Sequence, residues 1–268
     1  MADKALLIGI NAYPGAPLAG CINDVTDMAE FLVKACNFAP ASIRLLVDNR
    51  ATTEAIKERL EWLVSGLKKG DRVVFQYSGH GAQVASRAGS GEVDSLDEVV
   101  CPYDFDWTDS KMIRDKDFNR IFGRIPPGVL AMWISDSCHS ADLGRNPGNL
   151  GGRRIKALLP PADLRWRILT AHHDKMPLQT LRDPILPNIV LISGCKSEQT
   201  SADATFGKRP NGALTYFLLK ELQKPKAWLK PMTQIITGVQ EALRKANFEQ
   251  VPQLEGPVLM CSKPFLGQ

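Results

Sequence analysis

Three apolar runs, residues 5–10, 72–77 and 129–135, constrain this chain more than any other feature. Each is of strand length and rich in Val, Ile, Leu or Phe, without the polar alternation of a sheet that faces water on one side. Such runs read as strands buried on both faces. A shorter run at 43–47 and a downstream one at 188–193 read the same way. Between the early runs lie residues 23–36 and 53–67, whose apolar positions fall three and four apart, as on the buried side of a helix. Strand alternating with helix gives an α/β fold, a mostly parallel sheet covered on both faces. Two more helices are expected at 213–222 and 232–246. The glycine- and proline-rich stretch between, 144–187, reads as a long irregular loop of the kind that carries function.

A chain of 268 residues with 44% apolar content can bury the core of one large domain. Its formal charge of +4 is spread along the chain, so no nucleic-acid partner is expected. No run approaches the roughly 20 apolar residues of a membrane span, and 5–10 lacks the length of a signal peptide, so the expectation is a cytoplasmic protein with no membrane partner. Six cysteines, Cys21, Cys36, Cys101, Cys138, Cys195 and Cys261, have neither disulfide-framework nor zinc-site spacing. The question becomes which free thiol is reactive.

Sites on open α/β sheets form at the carboxyl ends of the strands. After 72–77 comes Ser78-Gly79-His80-Gly81, and after 129–135 comes Asp136-Ser137-Cys138-His139-Ser140. A histidine flanked by glycines can sit on a sharp turn beside a ligand. An imidazole on a neighbouring strand end can activate the Cys138 thiol as nucleophile and later protonate a leaving amine. His139 is the rival base, but residues leaving a strand point alternately to opposite sides, which favours His80. The amides of Gly81 and Cys138 are candidates for an oxyanion hole. The bland alternative is a buried Cys138 at a strand end and a turn histidine. A cysteine phosphatase would need an arginine six positions after the thiol; Gly144 stands there, with Arg145 one place late.

Further motifs follow in order: Gly20-Cys21-Ile22-Asn23-Asp24 near the start, then Ile192-Ser193-Gly194-Cys195, Gln199-Thr200-Ser201-Ala202-Asp203-Ala204, Gly212-Ala213-Leu214-Thr215 and Gln250-Val251-Pro252-Gln253-Leu254. With Tyr77-Ser78-Gly79-His80-Gly81-Ala82-Gln83 and the Cys138 motif, they resemble the metacaspase branch of the caspase-like cysteine peptidases, bacterial orthocaspases included, over nearly the whole chain. The resemblance implies a caspase-like fold, with a large-subunit-like part (1–145), a linker (146–187) and a small-subunit-like part (188–268). It implies a cysteine endopeptidase that cleaves proteins or peptides after arginine or lysine, with Cys21, Asp24, Ser78 and Asp136 lining the pocket for the basic residue. A carboxylate pair suits a desolvated guanidinium, which can take bidentate hydrogen bonds. Capping of the adjoining helix or turn is the alternative role for both aspartates.

The resemblance also implies a calcium site, here Asp94, Asp97, Glu98 and Asp115. Lys116 stands where a second adjacent aspartate is expected and Arg114 precedes it, so calcium dependence is expected to be weak or absent. No organic cofactor is implied, and the family resemblance points to a monomer. Gly151-Gly152-Arg153-Arg154 presents a basic site such an enzyme would cut itself. The expectation is a zymogen activated by cleavage within 146–167, at Arg153 or Arg154, by itself or an upstream protease; an uncut insertion is the alternative. The competing function is a catalytically silent caspase-like module that binds basic peptides or partner proteins.

Overall fold

In a computed structural model, residues 2–85, 96–138, 153–171, 188–196 and 199–267 are described. The apolar runs form the centre of a six-stranded sheet. Its strands are β1 (Asp3–Gly9), β2 (Ile43–Val47), β3 (Arg72–Ser78), β7 (Leu130–Asp136), β9 (Ile189–Ser193) and β12 (Gln253–Glu255), in the order β12-β9-β7-β3-β1-β2. All neighbours run parallel except β12, which is antiparallel to β9. The chain therefore has the expected α/β, mostly parallel architecture.

Alternate residues of each central strand point to opposite cores. Leu6, Ile8, Phe75 and Tyr77 face one side, where α2 (Thr53–Val64) and α3 (Asp115–Phe122) supply Leu60, Phe118 and Phe122. Ala5, Leu7, Val74 and Ile134 face the other, against α1 (Cys21–Cys36), α5 (Ala213–Leu222) and α6 (Met232–Lys245), which supply Met28, Leu214 and Val239. Both faces being apolar explains the unbroken hydrophobic runs. Helix α1 ends where Asn37 takes a left-handed conformation (φ 59°) and its amide bonds Leu32 O. Helix α2 is capped by the Thr52 side chain, which accepts from the Ala55 amide. It stops before the expected residue 67, because Ser65 is extended and Gly66 turns left-handed.

Two small antiparallel sheets were not expected. β4 (Gly81–Ala85), β5 (Leu96–Val100) and β6 (Ile113–Arg114) form one; β8 (Arg154–Ile155), β10 (Ala202–Phe206) and β11 (Arg209–Gly212) form the other. The stretch expected to be irregular throughout contains β8 and a helix, α4 (Ala162–Ala171). β8 is two residues long and takes its order from pairing with β10, which no local pattern reveals. A short α7 (Val258–Cys261) closes the chain near β9. Among the described residues no helix is long and apolar enough to cross a membrane.

Candidate active site

β3 and β7 pair in register, with Ser78 opposite Asp136. His80 and Cys138 each lie two residues beyond that matched pair, so parallel pairing alone brings them to the same end of adjacent strands. Helix α1 begins just beyond β1, the other neighbour of β3, and its first turn carries Asp24.

Asp24, Ser78 and Asp136 form one fully buried polar pocket. Ser78 Oγ donates to Asp24 Oδ2 at 2.6 Å. Asp24 Oδ1 accepts from the Gly212 amide (2.9 Å) and Asn211 Nδ2 (3.1 Å). Asp136 Oδ2 accepts from the Thr215 amide (2.9 Å) and Thr215 Oγ1 (2.7 Å), and its Oδ1 from Ser201 Oγ (2.9 Å). Cys21 is buried at the start of α1, within electrostatic reach of Lys156 and Asp24. The four pocket residues named from sequence thus come together. Each carboxylate is fixed by donors from the β11–α5 junction, and Asp136 also by Ser201.

The pocket is filled by the chain's own Lys156. Its Nζ donates to Ser78 Oγ at 2.9 Å and stands 3.2 Å from Asp24 Oδ2 and 3.0 Å from Asp136 Oδ1, with all three side chains of the ion pairs out of water. Three acceptors around a compact ammonium match its three N–H groups. Burial opposes the ammonium charge, but Asp136 and the other anionic neighbours outweigh it and hold Lys156 well above its ordinary value. Burial pushes Asp24 up to about 6, against the lowering pull of Lys156. The pocket floor is Gly212, where a Cβ would overlap Lys156 Nζ and both carboxylates.

The backbone of the same residue is held as closely. Lys156 O accepts from the Gly81 amide (3.0 Å) and the Cys138 amide (3.1 Å), the two donors expected to form an oxyanion hole. The Lys156 amide donates to Ser201 O (3.0 Å), and the Leu158 amide to Gly81 O (2.9 Å). Upstream, Ile155 and Arg154 pair with Ala202 and Asp203. A carbonyl between two converging amides, with a thiol on one of the same residues, can accept nucleophilic attack while its oxygen stays stabilised.

His80 is 3% exposed. Its Nε2 lies 2.7 Å from Ala16 O, which can only accept, so Nε2 carries the proton. Nδ1 is then the basic nitrogen, and it is buried without a hydrogen-bond partner among the described residues. Burial, with help from Lys156, lowers His80 to about 4 despite the Ala16 carbonyl, so the ring is neutral near pH 7. Tyr13 packs its ring 4.6 Å from the imidazole, its hydroxyl accepts from the His80 amide, and Tyr77 Oη donates to His80 O at 2.6 Å. Cys138 is 1% exposed, and its thiol donates to Gln199 O at 2.7 Å. Cys195 bonds the same carbonyl at 3.2 Å.

The family model for the metacaspase, peptidase C14 domain matches residues 3–145. The chain is 31% identical to Metacaspase-1 of Scheffersomyces stipitis over 97% of its own length and 71% of that protein's. The chain belongs to the metacaspase family. Metacaspase-1 of Coccidioides immitis is 30% identical, covering 98% of this chain and 62% of that protein. A crystal structure of protein GSU0716 from Geobacter sulfurreducens superposes with a TM-score of 0.70 at 25% identity, covering 98% of both chains. With the family comes the enzyme class, a cysteine-type endopeptidase, and with the superposition a caspase-like fold.

Not every residue this metacaspase was expected to use lies in the pocket. Arg153 and Arg154, the expected processing residues, lie outside it: Arg153 stacks on Phe248 and Arg154 reaches Pro17 O at 3.1 Å. Lys156, three residues further on than Arg153, was missed. A lysine in a linker has no local mark, and only the pocket singles it out. Asp203 was also missed as a site residue; its oxygens accept from the Ala19 and Gly20 amides at 2.6 and 2.9 Å, anchoring the loop before Asp24. His139 and Asp94 lie outside the described residues. Of the calcium candidates, Asp97 and Glu98 lie on β5 and Asp115 opens α3. Arg114 bonds the Asp97 carboxylate, and Lys116 Nζ stands 3.3 Å from it. Two cations on the carboxylate do not fit a calcium cage, and among the described residues no three His, Cys, Asp or Glu side chains are grouped to hold a metal.

Proposed function

We propose that the chain hydrolyses peptide bonds on the carboxyl side of lysine or arginine, and that it is made as a zymogen whose first substrate is its own bond between Lys156 and Ala157. One observation carries the reading. Lys156 puts its ammonium on the acidic pocket and its carbonyl oxygen between the Gly81 and Cys138 amides at the same time.

Turning the Cys138 thiol from Gln199 O toward His80 Nδ1 lets the imidazole take its proton as sulfur attacks the Lys156 carbonyl carbon. Charge developing on the oxygen is held by the two amides. His80 then gives the proton to the Ala157 nitrogen as the C–N bond breaks, leaving Lys156 as a thioester on Cys138. Water, deprotonated by His80, hydrolyses the thioester and returns the thiol. No step calls on calcium. The cut leaves β9 and β12, still paired into the central sheet, and the β10–β11 pair on the downstream fragment, and frees the pocket for other chains. Because the sheet ends in the short strand β12, edge-to-edge pairing is limited, which supports a monomer.

The test is intact mass spectrometry of the full chain on incubation. Wild type yields a fragment ending at Lys156, whereas Cys138→Ala and Lys156→Ala stay whole. A wild-type chain that stays whole and whose Cys138 ignores a lysyl electrophile overturns the reading. That outcome favours a silent module locked by its own linker, for which the thiol's turn toward Gln199 O speaks.

A further inference from the structure

The stretch leading into the acidic pocket is gripped at a second point. Arg153 stands three residues before Lys156, and its guanidinium carbon lies 3.9 Å from the ring centre of Phe248. Its Nη1 donates to Asn247 O at 2.7 Å and its Nη2 to Ala246 O at 3.2 Å. Ala246 is the C-terminal cap of α6, where the last carbonyls have no partner within the helix and carry the negative end of its dipole. Phe248 is itself held, its amide bonded to Leu243 O and its ring packed by Phe206 and Phe217. The chain between is kept extended by pairing of Arg154 and Ile155 with β10. A strand rises about 3.3 Å per residue, so the two cation sites are spaced about 10 Å apart.

We propose that this is a substrate subsite: the enzyme reads an arginine three residues before the basic residue at the cut. The proposal rests on the reading that Lys156 lies as a substrate lies. A flat guanidinium can cover a ring face while two of its nitrogens point at separate carbonyls; an ammonium cannot do both. Among the described residues the intervening Arg154 hydrogen-bonds a single carbonyl, Pro17 O, at an exposed position, so that place is read weakly. The preferred substrate is a peptide with Arg-x-x-Lys or Arg-x-x-Arg before the scissile bond, an accessible segment with two spaced cations. The arginine pair that resembles a processing site then serves to present Lys156.

The experiment compares two fluorogenic peptides, Arg-Arg-Ile-Lys and Ala-Arg-Ile-Lys, on the self-cleaved full chain. The first is expected to have a kcat/KM about tenfold higher, the worth of one partly desolvated cation–π contact with its hydrogen bonds. In Phe248→Leu the ratio falls toward one; being a ratio from one preparation, it does not depend on the fraction folded. Equal rates for the two peptides in wild type, or a ratio unmoved by Phe248→Leu, overturn the subsite while leaving the lysine pocket standing. Hydrolysis of neither peptide, with Cys138 unlabelled by a lysyl electrophile, removes the peptidase reading and the subsite together.

Discussion

Two clusters of carboxylates in this molecule hold cations from their own chain, and they hold them differently. Around Asp24 and Asp136 the cation is Lys156, brought in by a two-residue strand that also presents a carbonyl to the Gly81 and Cys138 amides. Around Asp97 the cations are Arg114 and Lys116, fixed by the fold itself because Arg114 pairs with Val99 on the strand that bears Asp97. Under the proposed function, a buried acidic site whose counter-ion hangs on a segment the enzyme cuts serves as a binding pocket. One whose counter-ions belong to the paired strand and the next helix is architecture.

The largest effect belongs to the buried cluster. Asp136→Ala leaves the Lys156 ammonium buried beside one carboxylate fewer, and removes the acceptor of Ser201 Oγ and of both Thr215 donors. Breaking a buried pair from one side costs about 3–5 kcal/mol, chiefly through the charge left behind. Urea unfolding should register that loss. Adding Lys156→Met should recover more than half of it. A double variant no more stable than Asp136→Ala would mean that the stranded cation is not what destabilises the fold.

Next in size is a pH effect on the cleaved enzyme. Asp24 lies near 6 with Lys156 seated, and the lysine's charge lowers it. An emptied pocket lacks that charge and keeps the anionic neighbour Asp136, while entering water relieves part of the burial, so Asp24 stays raised above its ordinary value. A carboxyl with a raised pKa is charged largely above that value, and under the proposed function it is the charged Asp24 that attracts the substrate cation. The kcat/KM for a lysyl peptide should therefore fall as pH drops through about 6, approaching tenfold per unit below it. His80, at about 4 with Lys156 in place, is held below its ordinary value by burial and sets no limb there. A profile flat down to pH 5 would show that Asp24 charge does not limit binding.

The same contrast marks what could be read from the sequence. The central strands, the main helices and the placing of His80 and Cys138 at neighbouring strand ends were legible, because hydrophobic period and strand-end position are local properties; Cys21, Asp24, Ser78 and Asp136 were named only through the family resemblance. The boundary at residue 67 was not, since Ser65 and Gly66 end the helix while the apolar pattern runs on to Leu67. Lys156 was illegible for a different reason: its role depends on carboxylates 132 and 20 residues away in sequence meeting at one strand end. Nor does any local signal make Gly212 the floor of a pocket; a glycine before a helix reads as an ordinary cap until the ammonium is seen against it.

The smallest effect is expected at Asp97. Its carboxylate is almost buried, but Arg114 and Lys116 are partly exposed, so the cluster lies between a surface pair and a buried one. Arg114→Ala should cost about 1–2 kcal/mol in urea unfolding, Lys116 remaining as partial replacement. Chelation should leave the rate of self-cleavage unchanged, because a divalent cation would first have to displace two chain cations whose places are set by β6 and α3. Loss of cleavage in chelator, restored by calcium, would show that those cations do move aside. The two acidic clusters would then be alike, each a binding site occupied in the uncut chain by a residue that gives way, and activation would require both to be vacated.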